Sequence, residues 1–147
     1  MTSISYTHNV TVNAFLLYKE KFLLLKRAYK PLIWGPPGGK LTINEDPIRG
    51  LQREVLEETG LQILVFQPVT TWFGLFDDLP LLSIDYLCSC KKNTVLLSHE
   101  HSEYRWLTIT DLMQNKNIYF SSNLGFKYSE FKLAWETHLM NNRLDSI

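Results

Sequence analysis

At 147 residues, with 45% hydrophobic and 20% charged side chains, the chain has the length and balance of one globular domain, 1–147, with a real core. Fifteen basic residues against fifteen acidic ones give a net charge of zero, which tells against a nucleic-acid polymer as partner, since tracking a phosphate backbone asks for a basic excess. No apolar run approaches the roughly 20 residues of a membrane span, and Met1–Asn9 is polar where a signal peptide would be apolar, so the cytoplasm is the expected compartment.

Val10, Val12, Ala14 and Leu16 alternate with Asn9, Thr11, Asn13 and Phe15, the period of a strand. Phe22–Arg27 reads as a second strand, with Tyr18-Lys19-Glu20-Lys21 as a hairpin connection. The segment Trp34-Gly35-Pro36-Pro37-Gly38-Gly39 then breaks regular structure, because neither a helix nor a central strand accommodates two prolines among three glycines. A helix follows. Asp46 is a good N-cap, Pro47 suits the first helical position, Gly60 supplies the stop, and Ile48, Leu51 and Val55 form a core-facing stripe.

Further strands are expected at Gln62–Phe66, Thr70–Phe73, Leu81–Cys90 and Tyr104–Leu107, with turns at Pro68 and Asp77-Asp78. Cys88 and Cys90 would share one strand face as reduced thiols, since no second pair stands at zinc spacing. Tyr128–Met140 reads as a helix with Phe131, Trp135 and Leu139 on one face. Mixing strands and helices along one chain points to an α/β (α+β) domain.

The chemistry concentrates on the first helix. Glu54, Glu57 and Glu58 stand at i, i+3 and i+4, so their carboxylates crowd one side, and Arg53 relieves that repulsion only in part. A divalent cation would relieve it further; Mg²⁺ takes carboxylate oxygens, water and substrate phosphates in an octahedron. Three glutamates alone would describe a solvated acidic face. Their setting is more specific: Gly39-x5-Glu45-x7-Arg53-Glu54-Val55-x-Glu57-Glu58-x-Gly60-Leu61, preceded by Pro37-Gly38 and followed by Lys40 inside the segment.

That segment resembles the Nudix box at every specified position, and the chain is identified on it as a member of the Nudix hydrolases. Leu25-Lys26-Arg27, Pro37-Gly38-Gly39-Lys40 and His99–Leu107 are similar to further family segments, so the likeness spans most of Asn9–Leu107. It implies an α/β/α sandwich, with a mixed sheet, the box helix packed on one side and a C-terminal helix. It also implies hydrolysis of a nucleoside diphosphate linked to another group, with Mg²⁺, or Mn²⁺ in its place. Glu54, Glu57 and Glu58 would hold the ion with the Gly38 carbonyl, Glu57 centrally. Arg53, partnered by Glu45, would orient the glutamates. Glu100 would be the general base, with Glu103 as competitor. For phosphate and base binding the resemblance names no residue. Arg27, Lys40 and Arg49 are the local cations available, and Trp72 and Phe73 are aromatics for a base to stack on.

Other readings fall away. Gly35–Lys40 is no P-loop, since Trp34 stands where the first glycine belongs and Leu41 where Ser or Thr should bind Mg²⁺. Glycosidases separate two acids across a sugar, whereas these crowd one turn. His99-x-His101 reads as loop polarity. A non-catalytic nucleotide-binding module is the alternative, though such modules typically lose box glutamates that are all present here. The short chain lacks a long N-terminal strand extension, which favours a triphosphate- or sugar-nucleotide-type substrate, acted on by a monomer or homodimer.

Overall fold

The computed structural model describes residues 5–121 and 124–145; the first four residues of the segment weighed above as a signal sequence lie outside them. Strands β1 (Asn9–Tyr18) and β2 (Lys21–Arg27) form the expected hairpin, closed by Lys19 and Glu20 at φ 45° and 66°. Two successive left-handed residues make the two-residue turn whose twist matches that of the strands. The other edge of β1 pairs in parallel with β6 (Leu79–Cys90), from Asn9↔Leu81 to Leu17↔Ser89. With β3 (Trp34–Gly35) and β5 (Ile63–Phe76) the order is β3-β2-β1-β6-β5, and β7 (His101–Leu107) pairs with β2. The β1–β2 ladder is short, Leu17↔Phe22 and Tyr18↔Lys21, and β4 (Gly38–Lys40) takes the same edge of β1 further back, at Thr11–Asn13.

Both faces of this sheet are covered, giving the expected α/β/α sandwich. Val12, Ala14 and Leu16 of β1 join Leu51 and Val55 of α1 (Pro47–Thr59) in one buried cluster. Phe15 and Leu17 point the other way, into a second cluster with Phe131 and Ala134 of α4 (Tyr128–Asp145) and Leu112 of α2 (Ile109–Gln114). Strand alternation therefore ends in two cores rather than one core and solvent.

Several local expectations change. Gln62–Phe66 and Thr70–Phe73 are one strand, β5, whose register shifts between Val65 and Gln67 and between Pro68 and Thr70. Pro68 is no turn; at a sheet edge beside irregular pairing its missing N–H costs no ladder bond. The glycine-proline segment supplies β3 and β4, because a strand of two or three residues fits between its prolines. The last strand begins at His101 rather than Tyr104, and α2 and α3 (Lys116–Tyr119) are additional. Ile48 continues the buried stripe of α1 in angle yet is 44% exposed, since it sits in the first turn beyond the sheet's cover. On α4, Ala134 is buried with Phe131, Trp135 is partly covered, and Leu139 is exposed. Cys88 and Cys90 are free thiols on the α1 side, Cys88 buried.

Candidate active site

The box helix forms for local reasons. The Asp46 carboxylate caps it by accepting the Arg49 N–H at 3.0 Å, and Gly60, at φ 75°, ends it with an N–H to the Leu56 carbonyl at 2.9 Å. Leu51, Val55 and Glu58 fall at i, i+4 and i+7, so the last glutamate lies on the buried stripe. The three glutamates accordingly fan outward. Glu58 is 4% exposed, the Glu54 side chain 16% and the Glu57 side chain 59%.

Each inner carboxylate meets the Gly38–Gly39 strand. The Gly38 N–H donates to Glu58 Oε2 at 3.2 Å. Ladder bonds on either side, Ala14 N–H to Pro37 O and Leu41 N–H to Val10 O, turn the Gly38 peptide groups away from β1 and towards α1. A Cβ on Gly39 would lie 2.5 Å from the Glu54 carboxyl, and one on Gly38 would collide with the Val12 carbonyl oxygen. Only glycine lets helix and strand approach so closely.

Arg53 braces the outer part. Its Nε donates to Glu45 Oε2 at 2.7 Å and Nη2 to Oε1 at 2.9 Å, while Nη1 reaches Glu54 at 3.1 Å and Glu57 at 3.2 Å. The guanidinium holds Glu45 at a pKa of about 2. Glu58 behaves oppositely. Burial pushes its carboxyl up to about 8, with Glu54, Glu100 and Glu57 adding repulsion against the relief given by the Gly38 N–H. Burial likewise raises Glu54. A site that penalises two carboxylate charges in this way favours a cation that would compensate them.

The late segment reaches the same place through main-chain bonds. The Leu96 N–H donates to the Thr59 carbonyl at 2.9 Å, Ser98 N–H to Glu58 O at 3.2 Å, and Ala28 N–H to Glu100 O at 2.9 Å. Donor atoms of Glu58, Glu100 and His101 consequently lie within 4.8 Å of one another. Burial lowers the His101 imidazole pKa, with Glu100 opposing and Arg27 reinforcing the shift. His101 was read from sequence as loop polarity, and its adjacency to Glu100 in a segment that folds back on the box helix was the signal available. Glu103, by contrast, is engaged by Lys26 at 3.5 Å and Arg105 at 3.2 Å on β7.

Of the four expected ligand positions, Gly38 and Glu58 meet through the Gly38 N–H, and Glu54 and Glu57 share Arg53 Nη1; carboxylate and carbonyl oxygens are donors that suit a hard divalent cation. The glycine cradle fits it too, and the buried Nδ1 of His101 has no hydrogen-bond partner among the described residues. Lys40 is exposed at the end of β4, and Arg27 is exposed beside His101. Trp72 and Phe73 separate. Trp72 shares a row and a face with Ser83, Thr11 and Lys40, whereas Phe73 turns to the opposite face against the His8 ring, centroids 5.7 Å apart. Successive strand residues point to opposite faces, so the two cannot sandwich one base.

A family model described as the NUDIX domain matches residues 7–124. The asymmetrical bis(5'-nucleosyl)-tetraphosphatase of Caenorhabditis elegans is 30% identical over 119 residues, covering 77% of this chain and 86% of that protein. Among solved structures, a MutT protein from Methanosarcina mazei Go1 superposes with a TM-score of 0.73 at 24% identity, covering 92% of this chain and 99% of its own. A C. elegans Ap4A hydrolase binary complex gives 0.73 at 22% identity, covering 90% and 98%.

Proposed function

The chain belongs to the Nudix family of hydrolases, and we propose that it uses Mg²⁺, or Mn²⁺ in its place, to hydrolyse the diphosphate linkage of a nucleoside diphosphate joined to another group. The observation that carries this reading is the meeting of box and late segment: Glu58, buried against the Gly38 N–H, shares a space of under 4.8 Å with Glu100 and His101, while Arg53 braces Glu54 and Glu57 beside it.

Glu54, Glu57, Glu58 and the Gly38 carbonyl hold the ion in this reading, and Glu45 fixes Arg53. A divalent ion held there would neutralise charge on the phosphate oxygens and would lower the pKa of the attacking water. Glu100 takes the proton from that water; Glu103 is already paired with Lys26 and Arg105. Arg27 and Lys40 meet the phosphates as point charges near the rim. Trp72 offers its ring to a base on the sheet face that carries Lys40, about 14 Å away across three strand spacings.

The similarity to a bis(5'-nucleosyl)-tetraphosphatase over most of both chains favours a dinucleoside tetraphosphate as first substrate, ahead of the nucleoside triphosphates and nucleotide sugars expected from sequence. The enzyme is read as one domain, 1–147, working in the cytoplasm as a monomer or homodimer on a small nucleotide. A panel of dinucleoside polyphosphates, nucleoside triphosphates and nucleotide sugars, assayed with Mg²⁺ and with products separated, tests this directly. Turnover of a dinucleoside tetraphosphate to a nucleoside monophosphate and a nucleoside triphosphate supports it. Tight binding without product would instead identify a sensor module.

A further inference from the structure

We propose that the outer half of β5, Thr70–Phe76, is a self-complementary docking edge: a second copy of this chain adds its own β5 there, antiparallel, about a two-fold axis at Phe73. The proposal stands apart from the hydrolase reading and does not depend on it.

This edge is built unlike the others. β5 ends the sheet and runs 14 residues without one charged side chain. Exposed edges are ordinarily blunted by charges, prolines, bulges or short length. β3, at the opposite end, has two residues, and β7 carries Glu103 and Arg105. The inner half of β5 is blunted too. Two register shifts and Pro68 interrupt it, while Gln52 reaches the Ile63 carbonyl and Asn141 the Gln67 side chain. From Thr70↔Asp85 to Phe76↔Leu79 the pairing with β6 is regular. No hydrogen bond beyond that ladder engages the backbone of Thr70–Phe76 among the described residues. Trp72, Phe73, Leu75 and Phe76 are 49%, 61%, 67% and 58% exposed there.

The sequence that fits this edge is its own. Antiparallel pairing centred on Phe73 sets Thr70 opposite Phe76, Thr71 opposite Leu75 and Trp72 opposite Gly74, so every bulky side chain off the axis meets a smaller one. The Trp72 indole already lies over Gly74 of its own strand, where a Cβ would come within 2.3 Å of the ring. The same register keeps charge apart. The two acidic Asp77-Asp78 turns stand about 26 Å from each other, more than two Debye lengths, whereas parallel pairing would set them side by side. With Leu79, the exposed parts of these side chains offer roughly 600 Å² per copy, the low end of what each partner of a stable interface contributes. Edge pairing covers only their flanks, so the dimer is a reversible one of micromolar affinity. Both faces of the hairpin stay open, and Trp72 keeps the face it shares with Lys40.

Sedimentation equilibrium of the full-length chain, from about 1 to about 500 µM, tests the association. The mass should rise from 17.2 kDa towards twice that value. Leu75→Lys, at an exposed position, should weaken association about tenfold or more while the melting temperature holds. Cross-linking tests the register in a Cys90→Ser background, Cys88 being buried. Phe73→Cys should oxidise to a disulfide-linked dimer, because directly opposed residues have Cα atoms about 4.5–5.5 Å apart. Leu75→Cys, about 14 Å from its counterpart, should not. A monomer at every concentration overturns the proposal. So does a dimer that Leu75→Lys leaves intact, or one that Leu75→Cys links as readily as Phe73→Cys. The cross-linking pair decides whether or not Leu75→Lys folds.

Discussion

Arg53 grips Glu45 through two parallel hydrogen bonds, Nε to Oε2 at 2.7 Å and Nη2 to Oε1 at 2.9 Å, leaving Nη1 for Glu54 and Glu57. One planar cation thereby orients two carboxylates of the proposed metal face, a geometry that lysine cannot reproduce. Arg53→Lys is expected to lower kcat by about 10- to 100-fold with little change in KM. Steady-state kinetics with a saturating Mg²⁺ series checks this; unchanged kcat would remove Arg53 from a positioning role.

The same pair sets a pH dependence of stability. Glu45 titrates at about 2 in the folded protein, against an ordinary value of 4.5, with the Arg53 hydrogen bond the largest cause. Between those values the unfolded chain binds the extra proton. Stability from this group is therefore complete above about 4.5 and is lost as pH falls towards 2. In metal-free protein, Glu45→Gln should be less stable than wild type at pH 6 and should narrow that gap steadily down to pH 2. Parallel Tm curves for the two proteins would contradict it.

Gly38 and Gly39 should fail differently. A Cβ at Gly39 would stand 2.5 Å from the Glu54 carboxyl, a side chain able to swing away, whereas at Gly38 it would strike the Val12 backbone oxygen. Gly39→Ala should keep the fold but weaken metal binding and turnover about tenfold or more, through displacement of Glu54. Gly38→Ala should also cost about 1–3 kcal/mol of stability, or more, because a strand must shift. Thermal melts and Mg²⁺ titrations separate the two; equal loss of stability would show that Glu54 cannot move aside.

Trp72 and Phe73 give a second contrast, since they lie on opposite faces of β5. Trp72→Ala should raise KM roughly 5- to 150-fold, the worth of about 1–3 kcal/mol for one stacked base, with Phe73→Ala close to wild type. Were Phe73→Ala the more damaging, the base would lie on the α1 side of the sheet.

How much of this was legible depends on how local the cause is. Asp46, Pro47 and Gly60 mark both ends of α1 because caps are sequence-adjacent chemistry, and the hairpin at Lys19-Glu20 follows from short spacing alike. Pro68 misled, since only a long-range fact, that β5 is the sheet edge, makes a proline harmless there. Ile48 misled for the complementary reason: periodicity gives the angle of a side chain around a helix, not how far the sheet extends beneath it. The glutamates were found as a group, but their gradient from buried Glu58 to exposed Glu57 comes from packing. His101 carried no signal of its own, because its meeting with Glu58 depends on hydrogen bonds from residues 96–98 to the end of α1.

The most direct measurement is Mg²⁺-dependent hydrolysis of the nucleotide panel by wild-type protein and by Glu57→Gln, a change at an exposed position that leaves the buried Glu58 and its Gly38 bond untouched. Cation-dependent turnover in wild type, reduced by at least about 100-fold in Glu57→Gln while the melting temperature holds, is the expected result. Turnover that survives Glu57→Gln, or no turnover of any substrate in the panel, would contradict the assignment of this site.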